Sequence, residues 1–500
     1  MLILLLLSIP LLACGLTALV RNRRWMEAIH LASAVVSFGA AVLLAGEVLR
    51  QGTVSLFNGF LFADPLSALA ALLTAFATLA CAPYAIGYLR REEADQRLAP
   101  SSDSHGTDAL PKLRMYYTLT PLFVFCMFLA VVANNLGVMW VAVESTTLAS
   151  IFLVTFYGRP TSLEAAWKYA MIGSVGLSMA LFGTVLTYYS AHLVLGGESM
   201  SALNWSVLVL HAPQFDKSVM RLAFIFILLG FGTKAGLAPM HTWKPDAYSE
   251  APIPIATLMA TAVLNCAIYA LARFQVLTVL CLGPAFSSHL LILFGLLSVG
   301  VAVPFILVQR SARRLLAYSS IDNGGIMVLG LGFGGPLGAL AMLLHMTYHT
   351  VTKPLLFFCV GNAQQHTKSD SLRAAAGGLI HALPITAPML MLGALAVTGT
   401  PPFGLFQSEF MVLRAGFAGP YMSVAIVLVA FLVAIFCGIF HQISQIVLGP
   451  PRGVPREPIC LWKTVPVVVL SILVILTGFW LPAPLYQLID GAARILAVHP

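Results

Sequence analysis

Residues 230–252 read GFGTKAGLAPMHTWKPDAYSEAP, which sets Lys234 inside a hydrophobic segment and then breaks that segment at Pro239. Residues 219–237 otherwise have the length and apolar character of a spanning helix. A lysine at the inner end of such a helix costs roughly 2.5–3.5 kcal/mol on insertion scales unless water or a counter-charge compensates. Breaks in membrane helices are tolerated where the freed backbone lines a wet or protein-buried cavity. Lys234 beside Gly236 and Pro239 therefore reads as part of an ion path, against the plainer alternative of a lysine snorkelling to the interface. His241 and Asp246, in the same broken stretch, are accessory candidates.

The rest of the chain agrees with a membrane setting. Of its 500 residues 59% are hydrophobic and 9% charged, with a mean hydropathy of +0.92, which excludes a soluble domain. A hydrocarbon core about 30 Å thick needs about 20 apolar residues per helix. On that basis fourteen spans are expected, near 2–20, 26–48, 65–88, 115–134, 136–157, 166–190, 219–237, 253–273, 287–308, 313–333, 337–361, 380–400, 421–446 and 464–483. Apolar runs of this length do not alternate with period two, so a β-barrel is excluded and the expected fold class is an all-α polytopic membrane protein.

The net charge of +8 does not point to nucleic acid, because in such a chain positive charge marks cytoplasmic loops. Loops after even-numbered spans hold Arg50, Lys217, Arg221, Arg273, Arg414 and Arg494, Lys234 and Lys353 lie inside spans, and the other Lys and Arg, Lys244 among them, follow odd-numbered spans. That asymmetry predicts both termini outside and the odd-to-even loops in the cytoplasm. The eight cysteines are scattered, with no C-x-x-C pair, so neither an iron–sulfur or zinc site nor a disulfide framework is expected. LLAC at 11–14 imitates a lipoprotein cleavage site but lacks a preceding positive charge. Gly330, Gly332 and Gly335 fit G-x-G-x-x-G yet follow a membrane helix, so no dinucleotide site is read from them. The mixed-charge stretch from Arg90 to Leu113 reads as a solvated connector.

Four further stretches carry chemistry. In span five, MWVAVESTTLASIFLV holds Glu144 near mid-span; a lone acid at that depth is a functional candidate, and pairing with Lys234 would let both change protonation, while a static pair fixing helix packing is the alternative. At the edge of span six Glu164 and Lys168 stand four apart, a surface salt bridge or the mouth of a path. Span eight places Thr257, Thr261 and Asn265 on one face, fit for a file of water or for bonds between helices. In span eleven, LLHMTYHTVTKPLLFF stacks His345, His349 and Lys353 about 6 Å apart, a proton ladder and not the metalloprotease pattern, with Pro354 favouring a kink. Span twelve, VTGTPPFGLFQSEFMVL, is broken in its turn and carries Glu409. Interrupted spans seven and twelve, each with one charge, suggest a repeat of five helices. The expected organisation is helices one to three with a cytoplasmic loop (1–113), a first repeat (114–275), a second repeat (286–446) and a last helix (447–500).

Lys234 in TKAGLAPMHTWKPDA with Ala251-Pro252, the His345, His349 and Lys353 ladder, and Glu144 together resemble the antiporter-like membrane subunits shared by respiratory complex I, Mrp sodium/proton antiporters and membrane-bound [NiFe] hydrogenases. Within that superfamily, VESTTLASIFLVTFYGRPTSLEAAWKYAMIGSVGLSMALFGT and GTPPFGLFQSEF resemble the F component of hydrogenase 4. The resemblance implies two inverted five-helix repeats and proton translocation along a charged central axis. Glu144 with Lys234 would form the first pair, His345, His349 and Lys353 the connecting groups, and Glu409 the terminal charge. It also implies membrane and peripheral partner subunits that carry Fe–S and NiFe centres, transport of H⁺ and in some relatives Na⁺, and no catalytic centre, cofactor or metal in this chain itself. Many relatives have a lysine or histidine in span eight where this chain has Thr257, Thr261 and Asn265, and several have lysine in place of Glu409. A secondary H⁺/Na⁺ antiporter or an inorganic-carbon uptake subunit is the alternative function. A purely structural anchor is disfavoured, because it gains nothing from four buried charges.

Overall fold

In the computed structural model, residues 1–98, 109–196, 200–371, 378–449 and 457–497 are described. Most of the expected 90–113 connector lies outside them or is helical at its flanks. The chain runs α1 (Leu2–Leu19), α2 (Arg23–Gln51), a hairpin β1 (Val54–Leu56) and β2 (Leu61–Ala63), α3 (Pro65–Leu98), α4 (Ala109–Val132), α5 (Leu136–Val154), α6 (Pro160–Leu195), α7 (Trp205–His211) and α8 (Lys217–Ala235). It continues through α9 (Trp243–Glu250), α10 (Ile253–Leu258), a π-helical turn (Met259–Val263), α11 (Leu264–Leu282), α12 (Pro284–Val308), α13 (Ala312–Phe333) and α14 (Gly335–Thr367). The last elements are α15 (Leu379–Ala382), α16 (Thr386–Val397), α17 (Gly404–Ala418), α18 (Met422–Leu448), α19 (Leu461–Phe479) and α20 (Ala483–Leu496).

Among the described residues, 11 helices are long and apolar enough to cross a membrane. They coincide with expected spans one to nine, thirteen and fourteen. Spans ten and eleven fall on α13 and α14, whose polar residues lower their hydropathy, and span twelve on α15 and α16, apolar but too short. The class is all-α and polytopic. Among the elements that escaped the sequence reading are the short helices α7 and α9; the hairpin, with Val54 opposite Ala63; the π turn inside span eight; and α20, which lays Leu488, Ile489, Ala492 and Ala493 against the bundle.

Helix starts follow capping chemistry. Asn22, Asn135, Asp216 and Ser311 each accept a backbone N–H at the head of α2, α5, α8 and α13, supplying partners to amides that the helix itself cannot satisfy. Helix contacts follow small residues. Gly176 of α6 lies against Thr233, and Gly230 of α8 lies against Ala180, so closely that a Cβ on either glycine would sit 2.5 Å from its neighbour. Without a hydrophobic driving force between membrane helices, such close approach is what holds them, and here it fixes α8, and with it Lys234, against α6.

Two breaks organise the interior. Helix α8 ends at Gly236, whose φ of 73° is the left-handed conformation glycine adopts at little cost. The chain turns, and α9 lies at the break, fastened by Trp243 Nε1 donating to Thr233 O at 2.9 Å and by Arg313, which donates to Ser249 O at 2.8 Å and Ala251 O at 3.0 Å. The second break, residues 398–403, separates α16 from α17, and Gly399 there has a φ of 63°. At the other edge of the bundle Arg273 meets Asp64 in a buried two-point ion pair, at 2.7 and 2.6 Å.

Candidate functional site

Lys234 is only 2% exposed. Its Nζ donates to Thr147 Oγ1 at 2.7 Å and to the Tyr169 hydroxyl at 2.9 Å. The Glu144–Lys234 ion pair expected from the sequence is not formed. Glu144 is half-buried on the α5–α6 perimeter, beside the exposed Val141 and Leu148. One carboxylate oxygen accepts from Ser174 at 2.9 Å, and the other has no protein partner. The reason is geometric: α8 brings the lysine onto the Thr147 side of α5, while Glu144, one turn earlier, is turned to α6.

The second half gathers around α14. His345, His349 and Lys353 are fully buried. They are linked sideways and not to one another. His345 Nδ1 bonds Ser408 Oγ at 3.0 Å and its Nε2 bonds Asn323 Oδ1 at 3.2 Å, which ties α14 to α17 and α13. Lys353 donates to Ser319 Oγ at 3.0 Å and Leu316 O at 3.2 Å. Neither ring nitrogen of His349 has a protein partner. Pro354 lies inside α14, which runs on to Thr367. Glu409, next to Ser408 on α17 and 7% exposed, packs on Gly399 and borders a pocket of about 380 Å³ with Thr400, Pro401, Phe410 and Phe436.

The stripe on span eight divides. Thr257 and Thr261 donate to carbonyls of their own helix, Ile253 O at 2.8 Å and Thr257 O at 2.7 Å. Only Asn265 reaches across, giving Nδ2 to Thr350 Oγ1 at 2.8 Å, and its Oδ1 is left without a protein partner. The π turn at 259–263 lies between, and the extra residue it holds shifts the face on which Asn265 emerges.

Of the accessory candidates, Asp246 is turned outward, bridging Lys168 at 3.2 Å and Arg314 at 2.5 Å, while Lys168 also holds Glu164 at 2.7 Å. Exposed pairs of this kind are screened by solvent and add little to stability. His241 is buried at the break, 6.4 Å from the Tyr318 ring.

Two of the buried charged residues that were not singled out from the sequence stand near Lys353. Lys244, by sequence a loop cation, is only 1% exposed, with Nζ donating to Ala235 O at 2.9 Å and Ser320 O at 3.3 Å. Asp322, in the middle of α13, is 2% exposed and has one oxygen without a protein partner. An acid well inside span ten meets the same criterion that marks Glu144, so that signal was in the sequence. Lys244 gave no such signal, because only the folding of the break buries it. Among the described residues no group of three or more His, Cys, Asp or Glu side chains has the arrangement of a metal site.

Residues 133–437 match the family model described as NADH:quinone oxidoreductase/Mrp antiporter, TM. A hydrogenase-4 component F homolog of Methylacidiphilum infernorum is 38% identical over 79% of this chain and 80% of its own length. NADH-quinone oxidoreductase subunit N of Desulforudis audaxviator is 32% identical over 61% of each chain. Among solved structures, a chain of the membrane-bound sulfane sulfur reductase, an archaeal respiratory membrane complex, superposes with a TM-score of 0.85 at 22% identity, covering 99% of this chain and 97% of its own.

Proposed function

We propose, from the premise that this chain belongs to the NADH:quinone oxidoreductase/Mrp antiporter transmembrane family, that it is the proton-translocating membrane subunit of a multisubunit oxidoreductase. Redox chemistry belongs to partner subunits, which carry iron–sulfur and nickel–iron centres. This chain moves the protons. The observation that carries the reading is the buried line of polar and charged side chains through helices that are otherwise apolar: Lys234 on Thr147 and Tyr169, Asn265 on Thr350, Lys353 on Ser319, and His345 between Asn323 and Ser408. Groups so placed are costly to bury in a membrane protein and mark ion paths and proton relays.

Glu144, half-exposed at the perimeter with one free carboxylate oxygen, is where a neighbouring subunit's charge is felt. Lys234 exchanges its proton through the hydroxyls of Tyr169 and Thr147. His349, with two free ring nitrogens and Lys353 as a charged neighbour, and His345 pass protons along α14. Glu409, on the pocket at the second break, releases them. A proton on one buried cation repels a proton on the next, so charge advances stepwise. The matching placement of Gly236 and Gly399 at two breaks, each near one charge, supports a reading of residues 114–275 and 286–446 as inverted repeats.

We place the protein in a bacterial inner membrane with both termini outside. Removing the buried Lys244, Arg313 and Lys463 from the loop cations, and buried Arg273 from the other side, leaves most of them on the odd-to-even loops. The test is purification of the tagged protein from its native membrane with its partners, followed by proton uptake into inverted vesicles driven by the complex's own reaction. Lys234→Ala is expected to abolish proton uptake while partner redox activity persists in part; unaltered uptake sinks the relay. Recovery without any redox partner, with Na⁺ or bicarbonate transport, shifts the function to antiport or carbon uptake.

A further inference from the structure

We propose that Lys244 is a proton-carrying residue that joins the Lys234 half of the buried line to the Lys353 half. The proposal rests on the relay reading of the site and deepens it.

The buried line has a gap. Between Lys234 and the α14 ladder, span eight offers two threonines whose hydroxyls are spent on their own helix and one amide, Asn265, and none of these takes up and gives up a proton at ordinary pH. Lys244 stands where the two halves meet. One of its two bonds goes to Ala235 O, the residue after Lys234. The other goes to Ser320 O on α13. Ser320 Oγ in turn donates at 2.9 Å to Leu316 O, the same carbonyl that accepts from Lys353 Nζ. Two lysine ammonium groups thus sit on a single turn of α13, and one of them also touches the end of the helix that carries Lys234.

Among the described residues Lys244 has no counter-charge. The carboxylate two residues on, Asp246, is committed to Lys168 and Arg314. The titratable and charged groups on the elements around the break include Lys234 of α8, His241 in the break itself, Glu250 of α9, Glu164, Lys168 and Tyr169 of α6, Glu144 of α5, and Arg313, Arg314, Tyr318 and Asp322 of α13, with His349 and Lys353 of α14 beyond. None forms an ion pair with Lys244. Its own helix contributes Tyr248, whose ring centre is 5.8 Å from Nζ. A lysine buried beside another lysine, with only two carbonyls and a ring face for company, is at home with or without its proton; an arginine in that place is not, since it does not deprotonate. The position is also built for the side chain, since a Cβ on Gly236 would sit 2.6 Å from Lys244 Cδ.

A brace that caps α8 is the competing role, and two variants separate it from proton carriage. Lys244→Gln keeps amide donors for both carbonyls but carries no proton, and Lys244→Arg keeps charge and donors but releases none. Each is assayed in the whole complex, in inverted native-membrane vesicles, with proton uptake normalised to assembled complex on native gels. Both are expected to lower uptake about a hundredfold, with assembly retained. A Lys244→Gln complex that takes up protons at the wild-type rate overturns the proposal. So does a Lys244→Arg complex that does so while Lys244→Gln does not, because a fixed charge is then enough. If neither variant assembles, Lys244 is a brace and the proposal falls. Lys234→Ala run alongside tells the two readings apart: normal uptake there means that the relay itself has failed, whereas loss there with normal uptake in Lys244→Gln refutes only the role given to Lys244.

Discussion

Gly230→Ala tests whether the α6–α8 contact sets the position of Lys234. A Cβ at residue 230 would lie 2.5 Å from both Cβ and N of Ala180 and 2.7 Å from its Cα. Two of these atoms are backbone, so no rotamer change relieves the overlap. Restoring the 3.4 Å of ordinary contact moves the helices apart by roughly 1 Å in an interior that is close-packed. Overpacking of this kind costs about 1–3 kcal/mol. Lys234 lies one turn further along α8, and its bonds to Thr147 and Tyr169 are 2.7 and 2.9 Å. A displacement of that size takes them beyond hydrogen-bond length. Misplacement by 1 Å lowers a rate on the order of tenfold to a hundredfold. The assay pairs thermal unfolding of the purified protein in detergent with proton uptake per assembled complex. The expected result is a lower Tm together with a loss of uptake, although no ionisable group has been changed. A protein that melts earlier but takes up protons normally refutes the link between this contact and the lysine; unchanged melting refutes the packing argument itself.

Asp64→Asn leaves buried Arg273 without its counter-charge and is expected to destabilise by about 3–5 kcal/mol, read as a lower Tm, with uptake per assembled complex near the wild-type level; an unaltered Tm means that the ion pair does not hold this edge of the bundle. Gly399→Ala would put a Cβ into the space of the Glu409 carboxylate, so the carboxylate must swing away from the second break. Proton uptake is expected to fall and Tm to drop as well, because the φ of 63° at this position costs any residue with a Cβ about 1–2 kcal/mol; a normal uptake rate would mean that Glu409 needs no fixed position to act.

Much of the candidate site is legible in the sequence because a charge inside an apolar run is conspicuous whatever surrounds it. Glu144, Lys234, the α14 ladder and Glu409 stand out on that ground, and Asp322 meets the same criterion. Their partners are not legible. Thr147, Tyr169, Ser319, Asn323 and Ser408 are ordinary residues in a membrane helix, and each matters only because a second or third helix brings a titratable group to it. The expected Glu144–Lys234 pair failed for the same reason: opposite charges in neighbouring spans attract, but the side of each helix that faces the other is set by packing of glycine against alanine and threonine.

By itself, then, the sequence determined the all-α membrane class, most of the spans and the residues that carry charge, since these follow from hydrophobic length and the free energy of inserting an ion into lipid. Tertiary structure alone decided which groups meet, that span eight contains a π turn, and that Lys244 is interior. Hydropathy reads one helix against lipid, whereas the burial of Lys244 depends on a broken helix folding back against α13, and no local pattern of residues records that contact.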